Sequence, residues 1–344
     1  MTLTQELDRS DSPAREFIDA CFVIEPAEVR RAMPQADRTR LNTMLLPPPE
    51  EISPGGLGTV GTAFDYRVRF VLEGLPARPL AAHRGAALLA GRCEARLSGD
   101  RVERIDTNAS PVYGLPRSPG VSTKLVRQFF TEFERLTAGS DALARKDADD
   151  TTVAQYCLTL ALFEEVYRAA GSPYFDSPLL YLRRGATLDN LLSLASPAQV
   201  FDVNQLWRGF SGEVGTGAKR VIGNPEFAGG GDIGGADADL LLDDCLVELK
   251  ASKRPPVLAQ VLRQLMGYVL LDYEDEYSIR SVAVYAARQR AFLKFTLHEL
   301  LLEHVSSDDG LIITTTYDGE AATVEARLIE LRATPPCQDD VRRS

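Results

Sequence analysis

Residues 234–253, GGADADLLLDDCLVELKASK, constrain this chain more than any other stretch. Two apolar runs flank Asp243-Asp244. The first follows Asp239 and the second ends in Glu248-Leu249-Lys250. Short apolar runs around a two-aspartate turn predict a β-hairpin. Counting outward from the turn sets Leu242 opposite Cys245, Leu241 opposite Leu246, Leu240 opposite Val247 and Asp239 opposite Glu248. Directly opposed residues share a sheet face, with Cβ atoms about 4.5–5.5 Å apart. Side chains alternate along a strand, so Lys250 projects from the face of Glu248. Two carboxylates held together repel unless a cation joins them or one is protonated. Convergence of Asp239, Glu248 and Lys250 therefore fits a metal-dependent hydrolytic site.

This arrangement resembles the PD-(D/E)XK nuclease superfamily. Downstream, Gln264-Leu265-Met266-Gly267-Tyr268 is similar to the QxxxY helix motif of its RecB-like branch, which includes exonucleases of recombination, repair and phage DNA processing. The three signatures follow in order within about thirty residues, and the resemblance covers roughly residues 220–290. It implies metal-dependent hydrolysis of phosphodiester bonds in nucleic acid, with DNA before RNA and Mg²⁺ or Mn²⁺ as cofactor. Asp239 and Glu248 would be metal ligands, joined by the backbone carbonyl of Leu249. Lys250 would contact the phosphate, orient the attacking water or help deprotonate it, a role that a depressed lysine pKa near a metal permits. Gln264 and Tyr268, at i and i+4, share one helix face; in the family that face approaches the site.

Several positions stay open. Asp237 shares a face with Asp239 and is the alternative principal ligand. Asp232 and the Asp243-Asp244 pair fit turns. The family often adds a Glu from a helix before the sheet, for which Glu165 and Glu164 are candidates and Glu226 a third. A surface pair with Arg168 is the competing reading of Glu165. GTAFDYRVR is similar to a family helix in which a metal-binding His follows a Gly-Thr step, but Asp65 stands at that position. His83, His298 and His304 show no metal-ligand spacing and read as structural.

The chain has 344 residues, 44% of them hydrophobic and 25% charged, the composition of a globular protein. No apolar run approaches the roughly 20 residues of a membrane span, and the first twenty residues are polar and acidic, unlike a signal peptide. Five scattered cysteines without a CxxC fit a reducing cytoplasm and no iron–sulfur cluster. The net charge of −11 argues against non-specific nucleic-acid binding by the whole surface. A local basic rim is available in Lys250, Lys253, Arg254, Arg263, Arg288, Arg290 and Lys294, with Tyr285 a candidate for the same cleft. The charge also motivates a second reading, a catalytically inactive nuclease fold that binds nucleic acid or protein. A third is an unrelated α/β interaction protein. No GxxxxGK[ST] occurs, so ATP-driven translocation would need a helicase or ATPase partner. No GxSxG elbow occurs either.

The expected fold class is α/β (α+β): a helical N-terminal half, then an αβββαβ-type restriction-endonuclease-like core with a central mixed sheet flanked by helices. Residues 1–145 form the helical region, separate from the core or wrapping it. Residues 146–333 form the core, and 334–344 a polar tail. Residues 1–57 read as largely irregular, with one or two short helices. Helices are expected from Gly61, over 81–97, 122–136, 151–170, 188–208 and 257–274, and again over FLKFTLHELLLEH. Strands are expected near 220–227, in the hairpin, at 279–289 and in LIITTTY, with ATVEARLIEL closing the domain.

Overall fold

The computed structural model describes residues 3–73, 79–90, 96–98, 101–103, 120–137, 151–169, 177–214, 217–233, 236, 238–306 and 312–316. They divide into two compact units: residues 1–46 with 212–344 form unit one, and 47–211 form unit two. Neither boundary coincides with the one expected near residue 145.

Unit one opens with four short helices, α1 (Leu3–Asp8), α2 (Pro13–Cys21), α3 (Pro26–Ala32) and α4 (Gln35–Leu41). The sequence reading expected fewer. Its polar, proline-punctuated look hid apolar residues at helical spacing: Leu3, Leu7, Ile18, Phe22 and Val29 are all buried in the core of unit one. Prolines stand in the first turn of α2 and α3, where the missing N–H costs nothing.

Unit two is predominantly helical. Its first helix, α5 (Pro54–Glu73), starts seven residues before Gly61. Ser53 Oγ accepts the Gly56 N–H at 3.2 Å and Pro54 fixes the first φ, so start signals outweigh the two glycines that follow. Next, α6 (Leu80–Leu89) ends well short of residue 97. A short antiparallel hairpin, β1 (Arg96–Ser98) and β2 (Arg101–Glu103), follows it. The remaining helices are α7 (Thr123–Thr137), α8 (Thr151–Arg168), α9 (Leu188–Leu192) and α10 (Pro197–Glu213). The single helix expected over 188–208 is split because Ser196 starts a new one: its hydroxyl accepts the Gln199 N–H, and the Gln199 side chain accepts the Ser196 N–H. The buried helix α8 packs against α5 and α6. Contact with α6 is close enough that a Cβ at Gly85 would overlap the Phe163 carbonyl. Phe129 of α7 meets Tyr156 and Phe163 of α8 at centroid distances of 4.9 and 5.5 Å.

Back in unit one, five strands form a mixed sheet in the order β3 (Val221–Gly223), β4 (Leu240–Leu242), β5 (Cys245–Lys250), β6 (Ser281–Ala286), β7 (Ala291–Thr296). All neighbours are antiparallel except β5 and β6. Parallel strands need a crossover, and α11 (Leu258–Leu271) supplies it, packing on both. The helix expected in FLKFTLHELLLEH is replaced by β7, a single turn α12 (Leu297–Leu300) and β8 (Leu302–Ser306). Along β7 burial alternates, with Ala291, Leu293 and Phe295 inward; that period of two, not the apolar content, decides the element. β8 pairs with β9 (Ile312–Thr316). The ATVEARLIEL segment and the tail lie outside the described residues. Helices α1 to α4 and the sheet share one apolar cluster in which Leu3, Ile18 and Phe22 join Leu246, Leu265 and Val282. Among the described residues no helix is long and apolar enough to cross a membrane.

Candidate active site

The hairpin forms in the register counted from the sequence, with Leu240–Val247, Leu241–Leu246 and Leu242–Cys245 as partners. Asp243 takes a left-handed φ of 54°, a conformation Asp tolerates better than most residues. Its carboxylate accepts the N–H groups of Lys219 and Arg220 at 2.9 and 3.0 Å, so it serves the turn as expected.

The regular pairing stops at Leu240. Asp239 lies just beyond it, and its Oδ2 accepts the Leu249 N–H at 2.7 Å. Glu248 is 4% exposed, and Lys250 Nζ donates to its Oε1 at 2.5 Å. Asp239, Glu248, Leu249 and Lys250 are thus brought together where β4 begins and β5 ends. Burial lowers the Lys250 pKa, but attraction to Glu248 and Asp239, with the Glu248 hydrogen bond, outweighs it and holds the ammonium above its ordinary range. Between these two carboxylates Lys250 is held as a cation, placed to contact a phosphate or a water.

Gln264 and Tyr268 face the same side of α11 and pair with each other, the Gln264 amide donating to the Tyr268 hydroxyl at 2.8 Å. Tyr268 is buried and stacks on Phe227 at 5.3 Å. The expected basic rim is thinner than its sequence suggests. Arg263 is paired with Asp19 and Arg290 with Glu213. Arg288 and Tyr285 are fully buried. Lys253, Arg254 and Lys294 remain exposed. Asp237 lies outside the described residues, as does the side chain of Asp232. Glu226 is exposed and contributes its carbonyl to the Tyr277 hydroxyl.

The other acidic candidates belong to unit two. Glu164 takes the i+4 partner that the sequence offered to Glu165: it pairs with Arg168 and also accepts the Tyr66 hydroxyl. Glu165 instead accepts the Thr59 hydroxyl at 2.5 Å and, with Thr59, Ser53 and Gln199, lines a cavity of about 740 Å³. Asp65 is tied to Arg69 on its own helix. His83, stacked on Phe130, is pushed down to about 4 by burial and stays neutral.

Sequence reasoning missed the role of Arg288 and Gln289. Both are buried, and their side chains donate to main-chain carbonyls: Arg288 to Ala251 and Leu46, Gln289 to Lys253. No local signal could have marked them, because their partners lie 36 to 242 residues away.

Among the described residues no three His, Cys, Asp or Glu side chains form a metal-holding group. The donor set at the hairpin is smaller: the two carboxylates Asp239 and Glu248, of which Asp239 is bonded to the Leu249 N–H. A carboxylate has about four lone-pair sites, so one bond to the Leu249 N–H leaves Asp239 able to coordinate. Hard oxygen donors of this kind fit Mg²⁺ or Mn²⁺, which keep waters and bind substrate phosphates. No protein-family profile, curated protein or solved structure matches the chain.

Proposed function

We propose that unit one is a metal-dependent phosphodiesterase of the PD-(D/E)XK type, in its RecB-like branch, acting on nucleic acid and on DNA in particular. The observation that carries this reading is the Asp239–Leu249 and Glu248–Lys250 cluster at the end of the hairpin. The element order β3, β4, β5, α11, β6, following helix α10, supports it. So does the Gln264–Tyr268 pair on the crossover helix.

In this mechanism Asp239 and Glu248 would hold the cation, and the Leu249 carbonyl would be a third donor. A bound Mg²⁺ would supply charge neutralisation at the phosphate and acidify a water. Lys250 binds a non-bridging phosphate oxygen or the water and fixes its line of attack. The water gives up a proton to solvent as its oxygen forms the new bond to phosphorus, the bond to the leaving strand oxygen breaks, and that oxygen takes a proton from solvent. Gln264 and Tyr268 support the helix face behind the site.

A second reading is a nuclease fold that binds without cleaving. The Lys250–Glu248 pair and the engaged state of Arg263 and Arg290 favour it, in a chain of net charge −11. Cleavage of linear and circular DNA, single- and double-stranded, and of RNA, in Mg²⁺ or Mn²⁺ separates the two. The first reading expects metal-dependent cleavage that both Glu248→Gln and Lys250→Ala abolish. Cleavage surviving in both variants would place the activity elsewhere, and binding without cleavage by the wild type would favour the second reading.

A further inference from the structure

Directly after Lys250 the chain runs through Ala251-Ser252-Lys253-Arg254-Pro255-Pro256-Val257 before α11 begins. Residues 252–255 and 257 of this loop are exposed, yet the fold fixes its shape from beneath. Arg288 Nε donates to the Ala251 carbonyl at 3.2 Å, and Gln289 Nε2 to the Lys253 carbonyl at 3.2 Å. These side chains belong to residues 0% and 1% exposed. Ser252 adds a bond to the Arg254 carbonyl at 2.7 Å, and two prolines stiffen the exit. Burying an arginine is costly unless its donors are used, and here they are used to hold an exposed loop.

The loop so held carries two cations. Among the described residues neither Lys253 nor Arg254 has an ion pair, although acidic residues outnumber basic ones 49 to 38. The same Arg288 also anchors a second surface segment. Its carbonyl accepts the N–H groups of Leu45 and Leu46, and its side chain donates to the Leu46 carbonyl. That segment exposes Met44 and Leu45, 45% each, and the loop itself exposes Val257 at 64%. Cations beside exposed apolar side chains suit a single strand, which offers phosphates and uncovered base faces together; a duplex offers chiefly its phosphates.

We infer that residues 251–257, braced by Arg288 and Gln289, are the strand grip of unit one: Lys253 and Arg254 take the phosphates of a single-stranded segment next to the Lys250 site, and Met44, Leu45 and Val257 meet its bases. This rests on the nucleic-acid reading above and adds the element that binds and the form of the substrate. Because the loop is already ordered, little conformational freedom is lost when the strand binds.

The test is fluorescence anisotropy with a short labelled DNA single strand and its duplex in metal-free buffer, titrated over a range of salt, for the full chain and for a Lys253→Ala/Arg254→Ala variant. Lys219→Ala, an exposed lysine at the far end of the hairpin, controls for loss of charge. The wild type is expected to prefer the single strand. The double variant should flatten the dependence of log K on log salt by about 1.4, two phosphate contacts at roughly 0.7 each, while Lys219→Ala leaves it unchanged. Wild-type binding with an unaltered slope in the double variant, an equal effect of Lys219→Ala, or preference for the duplex would overturn the grip and leave the nuclease reading standing. Failure of the wild type to bind either DNA, together with no cleavage, would remove both.

Discussion

Each unit of this molecule sets two carboxylates close together. In unit one Asp239, just before β4, and Glu248 of β5 both act on Lys250. In unit two Glu164 and Glu165 are neighbours on α8 and take separate partners, Tyr66 and Arg168 for the first and Thr59 for the second. Consecutive residues on a helix do not face each other, so closeness in sequence separates them in direction. Cross-strand register does the reverse: residues nine apart in sequence converge on one cation. A pair of carboxylates that converges can hold a cation, whereas a pair that diverges serves as two separate polar contacts.

Breaking this contrast begins with Asp239→Asn. Cleavage is expected to fall by about 100-fold or more, since even outer partners of metal ligands cost about 10–100-fold. Stability should change by less than about 1 kcal/mol in urea denaturation, because the amide oxygen still accepts the Leu249 N–H. A large stability loss with cleavage intact would make the hairpin pair structural. Gly85→Ala tests what holds the helical pair: the new methyl meets the Phe163 backbone, and about 3 kcal/mol of stability should be lost. Gly267→Ala in unit one is the milder counterpart, for its Cβ would meet only the flexible end of Leu3. Tyr66→Phe removes the hydroxyl that buried Glu164 accepts, at a cost of about 1–3 kcal/mol measured by the same denaturation.

The smallest effect is a pH dependence. Burial raises the Glu165 carboxyl, the Thr59 hydrogen bond opposes this and the Glu164 charge adds to it, leaving the pKa above its ordinary value. A carboxyl raised in the folded state contributes stability that is full below the unfolded glutamate range and is lost as pH rises through the folded value. Glu165→Gln cannot ionise, so stability should shift in favour of the variant as pH rises beyond the usual glutamate range, with cleavage retained. A stability difference that does not move with pH would mean that Glu165 ionises as in water. Lost cleavage in a folded variant would join Glu165 to the chemistry, as the family resemblance implies.

Much of the hairpin was legible because its determinants are local. Alternation and turn chemistry act over a few residues, and counting from Asp243-Asp244 reproduces the observed partners. The i, i+4 relation of Gln264 and Tyr268 is legible for the same reason. Where local cues compete, reading failed. In AFLKFT an apolar-rich stretch concealed an alternating strand, which pairs with β6 along its whole length. At Pro54 the Ser53 cap outweighed the glycines that suggested a loop.

The sequence by itself determined the strand periods, the register of the hairpin and the presence of Asp239, Glu248 and Lys250 at its end, since each depends on backbone geometry repeated over a few residues. Tertiary structure alone decided which cations stay available. Arg263 met Asp19, 244 positions away, and Arg288 met the Leu46 carbonyl, 242 positions away. Such pairings arise only when the folded chain has already closed those long loops, and no short-range pattern encodes them.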